Sequence, residues 1–259
     1  MTNQATGHQT ASAGRPAGFL DRVRAEQLPT RFRWQARDWV ALLAVPSIFV
    51  SGWLTTMITN DVAVGTVVDT VLRIALFVVL VVANRALLAR HWRAFWAAPW
   101  LSVGLVVVGM VALQIAISSS GSALRSLGGL DPGDDQGPVP SMAFGVLLFT
   151  SLNPMVTALI EDFTFRHTLL LKFPVWNRFV FAAVLTVANA VLFGAVHIDN
   201  FGGEWLLTLS FAAAGLVMNL TYLWTRNIWH VLLMHGVNNF ILAGPVGVVI
   251  LHVLQAAVV

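Results

Sequence analysis

Glu161-Asp162-Phe163-Thr164-Phe165-Arg166 closes an apolar run that begins near Ser141. Two adjacent carboxylates and a guanidinium in such a run decide how the chain is to be read. An ionisable side chain inside a bilayer costs about 3 kcal/mol or more unless it is paired or faces a wet cavity, so it marks a functional site by default. Asp162 and Arg166 are four apart, share one face of a helix and can neutralise each other. Glu161 lies about 100 degrees round the helix from Asp162 and points elsewhere. That division suggests one working carboxylate and one structural ion pair; the plainer alternative is an interfacial cluster at a helix end.

The rest of the chain supports a membrane setting. Of 259 residues, 57% are hydrophobic and 10% charged, and the mean hydropathy of +0.77 exceeds what a soluble core requires. The expected fold class is all-α, a polytopic transmembrane helix bundle. Apolar runs at 40–59, 63–84, 97–118, 142–171, 179–198, 205–225, 227–243 and 245–258 make about eight spans. The last run, about 14 residues, is short enough to be re-entrant or interfacial.

Thirteen of the fifteen Lys and Arg residues lie in the first 38 residues and in the connections around 85–93, 166–178 and 226. Arg125 lies in an opposite connection and Arg73 inside a span. The positive-inside rule then places both termini in the cytoplasm. The longest outer loop, 119–140, contains Asp131, Pro132, Gly133, Asp134, Asp135 and Pro138, which is turn chemistry without a core.

Two parts are expected. Residues 1–38 form a tail, disordered over about 1–16. From 17 onward Phe19, Leu20, Leu28, Phe32 and Trp34 alternate with Arg22, Arg24, Arg31, Arg33 and Arg37, a pattern suited to lying on an anionic leaflet. Residues 39–259 form the bundle. No apolar run lies near Met1, so no cleavable leader is expected. The basic pI does not point to nucleic acid, because the cations are scattered through short loops. Abundant Arg, Ala and Val suggest a GC-rich bacterial genome and a multi-pass protein of the cell membrane, with the lipid bilayer as its first partner.

Other polar residues in the apolar runs extend the site. His197 ends the run 191–196, with Phe193 one turn earlier on the same face. His235 lies inside a span with Asn239 four residues on, so both are directed at one spot, and Asn238 adds a second amide. Asp69 and Arg73 repeat the four-residue spacing and read as a structural pair. His91, His167 and His230 sit near expected interfaces and His252 in the weakest span; none is assigned a role. Asn153-Pro154 should kink the fourth span about two turns before Glu161. The chain has no cysteine, which removes thiolate chemistry, and carries neither HExxH nor GxSxG nor a Gly-rich phosphate loop.

Taken together, these elements resemble the CPBP family of intramembrane proteases, also called the Abi or CAAX-protease family. Its motif EExxxR is matched by Glu161-Asp162-x-x-x-Arg166, FxxxH by Phe193 to His197 and HxxxN by His235 to Asn239, in that order, over residues 142–243. Two positions depart from the pattern: Asp162 stands where the family usually has Glu, and His167 follows Arg166 where it commonly has Gly. The resemblance implies peptide-bond hydrolysis within the membrane on a membrane-associated protein or peptide. Glu161 with His197 would activate a water, and His235 with Asn239 would hold the oxyanion, supported by Asp162, Arg166 and Phe193.

No cofactor is required on this reading. A zinc variant would use Glu161, His197 and His235 as ligands with one open position. A non-catalytic alternative is an immunity or scaffold protein, or a small transporter, that keeps the pocket. Counting 1.5 Å per residue puts Glu161 and His235 about 12 to 17 Å deep and His197 near 25 Å, so either the fifth span is strongly tilted, which is the expectation here, or the loop around Trp176 to Arg178 sits deeper than its charge suggests.

Overall fold

The computed structural model describes residues 18–130 and 142–258. The stretch expected to be disordered, 1–16, and residues 131–140 of the expected outer loop lie outside the described residues. Within those described, the chain is helical with no strand.

A short helix α1, Phe19–Val23, precedes α2, Ala36–Ile58, and α3, Val62–Ala83. The Asp61 carboxylate starts α3 by accepting from the Val64 amide at 3.0 Å, which satisfies one of the free N–H groups of the first turn. Next come α4, Arg85–Phe95, and α5, Pro99–Gly128. The latter begins with proline in its first turn and stops at Gly129, whose φ of 61° suits a residue without Cβ.

The fourth apolar run is divided into α6, Phe144–Thr150, α7, Asn153–Asp162, and a π-helical segment, Phe163–Leu170. The break falls at Ser151 and Leu152, with Pro154 in the first turn of α7, so the kink expected from Asn153-Pro154 is a full interruption. The remaining helices are α8, Phe179–Ala195, α9, Trp205–Thr225, α10, Ile228–Leu242, and α11, Pro245–Val258. A single 3-10 turn, Ile198–Phe201, links α8 to α9.

Among the described residues, six stretches are long and apolar enough to cross a membrane: Ala36–Ile58, Val62–Ala83, Pro99–Gly128, Phe144–Leu170, Trp205–Thr225 and Ile228–Gln255. The fifth run of the sequence is the shorter, 17-residue α8, and the last two runs fall within one apolar stretch interrupted between α10 and α11. The bundle is apolar outside and charged inside. Trp100 and Phe179 are each 86% exposed, whereas Asp162 and Arg166 are fully buried. A surface of this kind is suited to lipid tails and not to water.

Close backbone approach holds the half that carries the site. A Cβ on Gly194 of α8 would lie 2.4 Å from the Thr208 carbonyl oxygen of α9, and one on Gly215 would lie 2.9 Å from the Phe193 ring. Small residues let helices approach in this way where apolar burial supplies no drive between them.

The first described residues pack against the bundle. Asn227, at the start of α10, donates from Nδ2 to the carbonyls of Val23 (3.0 Å) and His91 (2.8 Å). Arg24 donates to the Trp224 carbonyl, and the Ala25 amide to that of Arg226. Glu26 closes the seam through Arg90 and His91. Residues 24–35 thus form a strap across the helix ends at which Arg90, Lys172, Arg178 and Arg226 emerge.

Candidate active site

Glu161 and Asp162 end α7, where the chain passes from α-helical to π-helical turns. A π-turn widens the helix by one residue and re-aims the side chains around it. Three contacts to neighbouring elements hold it here. The Thr164 hydroxyl donates to the Ala41 carbonyl (2.6 Å), Asn189 Nδ2 donates to the Phe165 carbonyl (3.0 Å), and His167 Nδ1 meets the Tyr222 hydroxyl (2.9 Å).

The four residues read as catalytic line one cavity of about 620 Å³: Glu161, His197, His235 and Asn239. Glu161 Oε1 is 3.6 Å from His197 Nε2. The depth mismatch given by helix counting is therefore absent. His197 lies just beyond α8, and its ring folds back so that Nδ1 donates to the Phe193 carbonyl at 2.8 Å. A carbonyl can only accept, so a proton is on Nδ1, and Nε2 of the ring is directed towards Glu161.

Asp162 does more than the sequence spacing suggests. Its Oδ1 is 3.4 Å from Arg166 Nε and 3.5 Å from His235 Nδ1, so it sits between a guanidinium and an imidazole. Phe193 packs against all three cationic or ionisable partners. Arg166 lies over its ring, 4.0 Å from the centroid, and the rings of His197 and His235 are 4.8 and 5.8 Å away. An aromatic face is a partial counter-charge for a buried guanidinium.

Asn239 is engaged on both sides. Its Nδ2 donates to the Pro154 carbonyl at 3.2 Å, and its Oδ1 accepts from Asn238 Nδ2 at 3.2 Å; Asn238 in turn accepts from Gln114 (2.8 Å). One of the two Asn239 amide protons remains for another acceptor.

Several cavity residues had been given no part in the site. Asn153, Thr157 and Glu161 follow one another at four-residue intervals down the wall of α7, a face that helical periodicity alone exposes. Arg73 joins them, donating to Thr157 Oγ1 at 2.8 Å while pairing with Asp69 at 2.8 Å. Exposed Asp199 and Asn200 mark the mouth on the α8–α9 link, at the bundle end opposite Arg90, Lys172 and Arg178. Exposed Phe49 and Trp53 of α2 form another edge of the same cavity.

The zinc alternative would need Glu161, His197 and His235 to converge on one position. Among the described residues no group of three His, Asp or Glu side chains is gathered around a metal position. His235 Nδ1 faces Asp162.

Fold and site together define a polytopic helical membrane protein that buries a carboxylate, two imidazoles and an amide around one cavity. Residues 143–241, which carry all of them, match the family model described as type II CAAX prenyl endopeptidase, Rce1-like. Over this segment the chain is similar to the CAAX-protease (CPBP) family of intramembrane peptidases. No curated protein and no solved structure matches the chain.

Proposed function

We propose that the protein is a glutamate-type intramembrane endopeptidase that hydrolyses a peptide bond of a membrane-associated protein or peptide. The observation that carries this reading is the approach of Glu161 to His197 within a cavity that His235 and Asn239 also line. At 3.6 Å the two groups are too far apart for a direct hydrogen bond and well placed to share a water. Glu161 takes a proton as the water oxygen attacks the scissile carbonyl, and the same proton passes to the leaving amine as the C–N bond breaks. His235, oriented by Asp162, and Asn239 donate to the oxyanion. A general base supplies roughly 10² to 10⁴ in rate and each oxyanion donor about 10² to 10³.

The cavity mouth lies away from the basic end of the bundle. With that end cytoplasmic, substrate reaches Glu161 from the non-cytoplasmic side or laterally past Phe49 and Trp53, so the cleaved segment belongs to the outer half of the membrane. The test is cleavage of a quenched fluorescent peptide library by protein in lipid nanodiscs. Wild type cleaves with or without chelator, and Glu161→Gln falls by about 10² or more while its melting temperature holds. Cleavage that survives the substitution refutes the reading. Loss on chelation with recovery on zinc would transfer it to a metal mechanism.

A further inference from the structure

A second cavity, also of about 620 Å³, lies at the opposite end of the bundle, between the strap and the end of the π-helical segment. Its lining includes Arg31, Arg33, Arg37, Lys172, His167 and Glu26. The charges are far from balanced. Glu26 is already held by Arg90 and His91, and Lys172 Nζ is 2.7 Å from Asp38 Oδ2. Among the described residues Arg31, Arg33 and Arg37 enter no salt bridge. Three guanidinium groups therefore line one polar cavity with no carboxylate among the described residues assigned to them.

Two buried nitrogens sharpen the picture. His167 is 5% exposed and lines this cavity; its Nδ1 is engaged by Tyr222, and its Nε2 has no hydrogen-bond partner among the described residues. Arg37 Nε is likewise buried without a partner. Buried polar groups are almost always satisfied, so two orphans beside an excess of cation point to a ligand that accepts hydrogen bonds and carries negative charge.

We propose that this cavity binds a phosphate-bearing anion, supplied in the bilayer by the headgroup of an anionic phospholipid. Guanidinium forks match phosphate oxygens in geometry as well as charge. The surroundings favour the lipid as the source. Phe32, Trp34, Trp39 and Phe173 form a chain of ring contacts beside the pocket, with centroids 5.3 to 5.8 Å apart. Phe32 and Trp39 are more than half exposed. Aromatic rings of this kind sit at the headgroup level of a bilayer. Basic pockets on the cytoplasmic side bind anionic headgroups held next to them by the leaflet. The inference does not depend on proteolysis, and its readout is binding.

The experiment uses the full chain in detergent, with lipid retention followed by native mass spectrometry. Phosphatidylglycerol and phosphatidylcholine are the lipid probes, and inorganic phosphate, followed by phosphorus resonance broadening, is the free-anion probe. Retention of phosphatidylglycerol over phosphatidylcholine should drop roughly 25-fold in Arg33→Gln/Arg37→Gln, about five-fold for each cation removed. The exposed pair Arg31→Gln/Arg33→Gln gives a second variant that leaves the packed end of Arg37 alone, and Glu161→Gln should bind as wild type does. Broadening by inorganic phosphate that the same Arg substitutions abolish, without lipid preference, assigns the site to free phosphate. Equal retention of both lipids together with no phosphate broadening, or a preference that survives both Arg variants, overturns the proposal.

Discussion

Asp69–Arg73 and Asp162–Arg166 are the same sequence signal written twice: an acid and an arginine four residues apart in an apolar helix. The structure uses them differently. Asp69 and Arg73 meet at 2.8 Å, 13% and 17% exposed, and each is also engaged by neighbouring polar side chains. Ser51 and Asn153 donate to Asp69, and Arg73 donates to Thr157, so α2, α3 and α7 are tied together by ordinary hydrogen bonds. Asp162 and Arg166 are fully buried, sit 3.4 Å apart, and divide their attention. Asp162 also faces His235, and Arg166 leans on the Phe193 ring. A pair tied only into hydrogen bonds between helices is structure; on the proposed mechanism, a pair left partly open to an imidazole positions a reacting group.

The largest effect should come from opening the second pair. Asp162→Asn leaves Arg166 buried without its counter-charge and should cost about 3 to 5 kcal/mol, read from thermal unfolding in detergent. Exchanging the partners sharpens the contrast. Asp69→Arg with Arg73→Asp should recover most of the stability lost in either single variant. Asp162→Arg with Arg166→Asp should leave the enzyme inactive, because His235 then faces a guanidinium. Recovery of cleavage in the second swap would erase the distinction.

Next in size, His235→Ala should lower kcat by about 10² to 10³, as expected for loss of one oxyanion donor. Asn239→Ala should do the same, and the bonds it makes to Pro154 and Asn238 should cost only about 1 kcal/mol each in stability. A change confined to KM would instead make both residues binding groups.

Asp69→Asn is smaller. The amide keeps most of the surrounding hydrogen bonds, so the loss should be about 1 to 2 kcal/mol with kcat unchanged.

The smallest effect concerns the strap. Burial pushes the Glu26 carboxyl up, but the hydrogen bond from His91 and the charge of Arg90 outweigh it and hold it below its ordinary value. Burial likewise lowers His91, against the pull of Glu26. The His91 Nδ1 accepts from the Ile228 amide at 3.0 Å, so the neutral ring has its proton on Nε2 for Glu26. With both groups depressed, the unfolded chain binds more protons. Strap stability is then complete at neutral pH and declines as pH falls below about 6.5, then further through the carboxylate range. Hydrogen-exchange protection at the Ala25 amide should follow that course; protection that rises on acidification would reverse the sign.

The sequence was most readable where a charge stood in an apolar run. Glu161, Asp162, Arg166, His197 and His235 are conspicuous because a bilayer makes each of them costly, and the structure gathers them around one cavity. The Asn153–Thr157–Glu161 face was equally present in the spacing, but the proline at 154 drew the reading towards a kink. Other features had no local signal. Nothing in Phe163-Thr164-Phe165-Arg166 separates π from α turns, because tertiary bonds from Asn189, Thr164 and Tyr222 decide it. The approach of Asp162 to His235 links residues 73 positions apart. The alternation of Phe and Arg after residue 17 reads as a leaflet-bound segment, while its packing depends on Asn227 and His91, far along the chain.

The central claim is that Glu161 activates a water without itself becoming bonded to the substrate. A single turnover in oxygen-18 water, with enzyme in excess over a cleaved peptide, tests it most directly. The account predicts one heavy oxygen in the new carboxyl group of the product in that first turnover, and no label or adduct on Glu161. A first-turnover product carrying ordinary oxygen, with the label found in the Glu161 carboxyl, would show that Glu161 is a nucleophile and contradict the account.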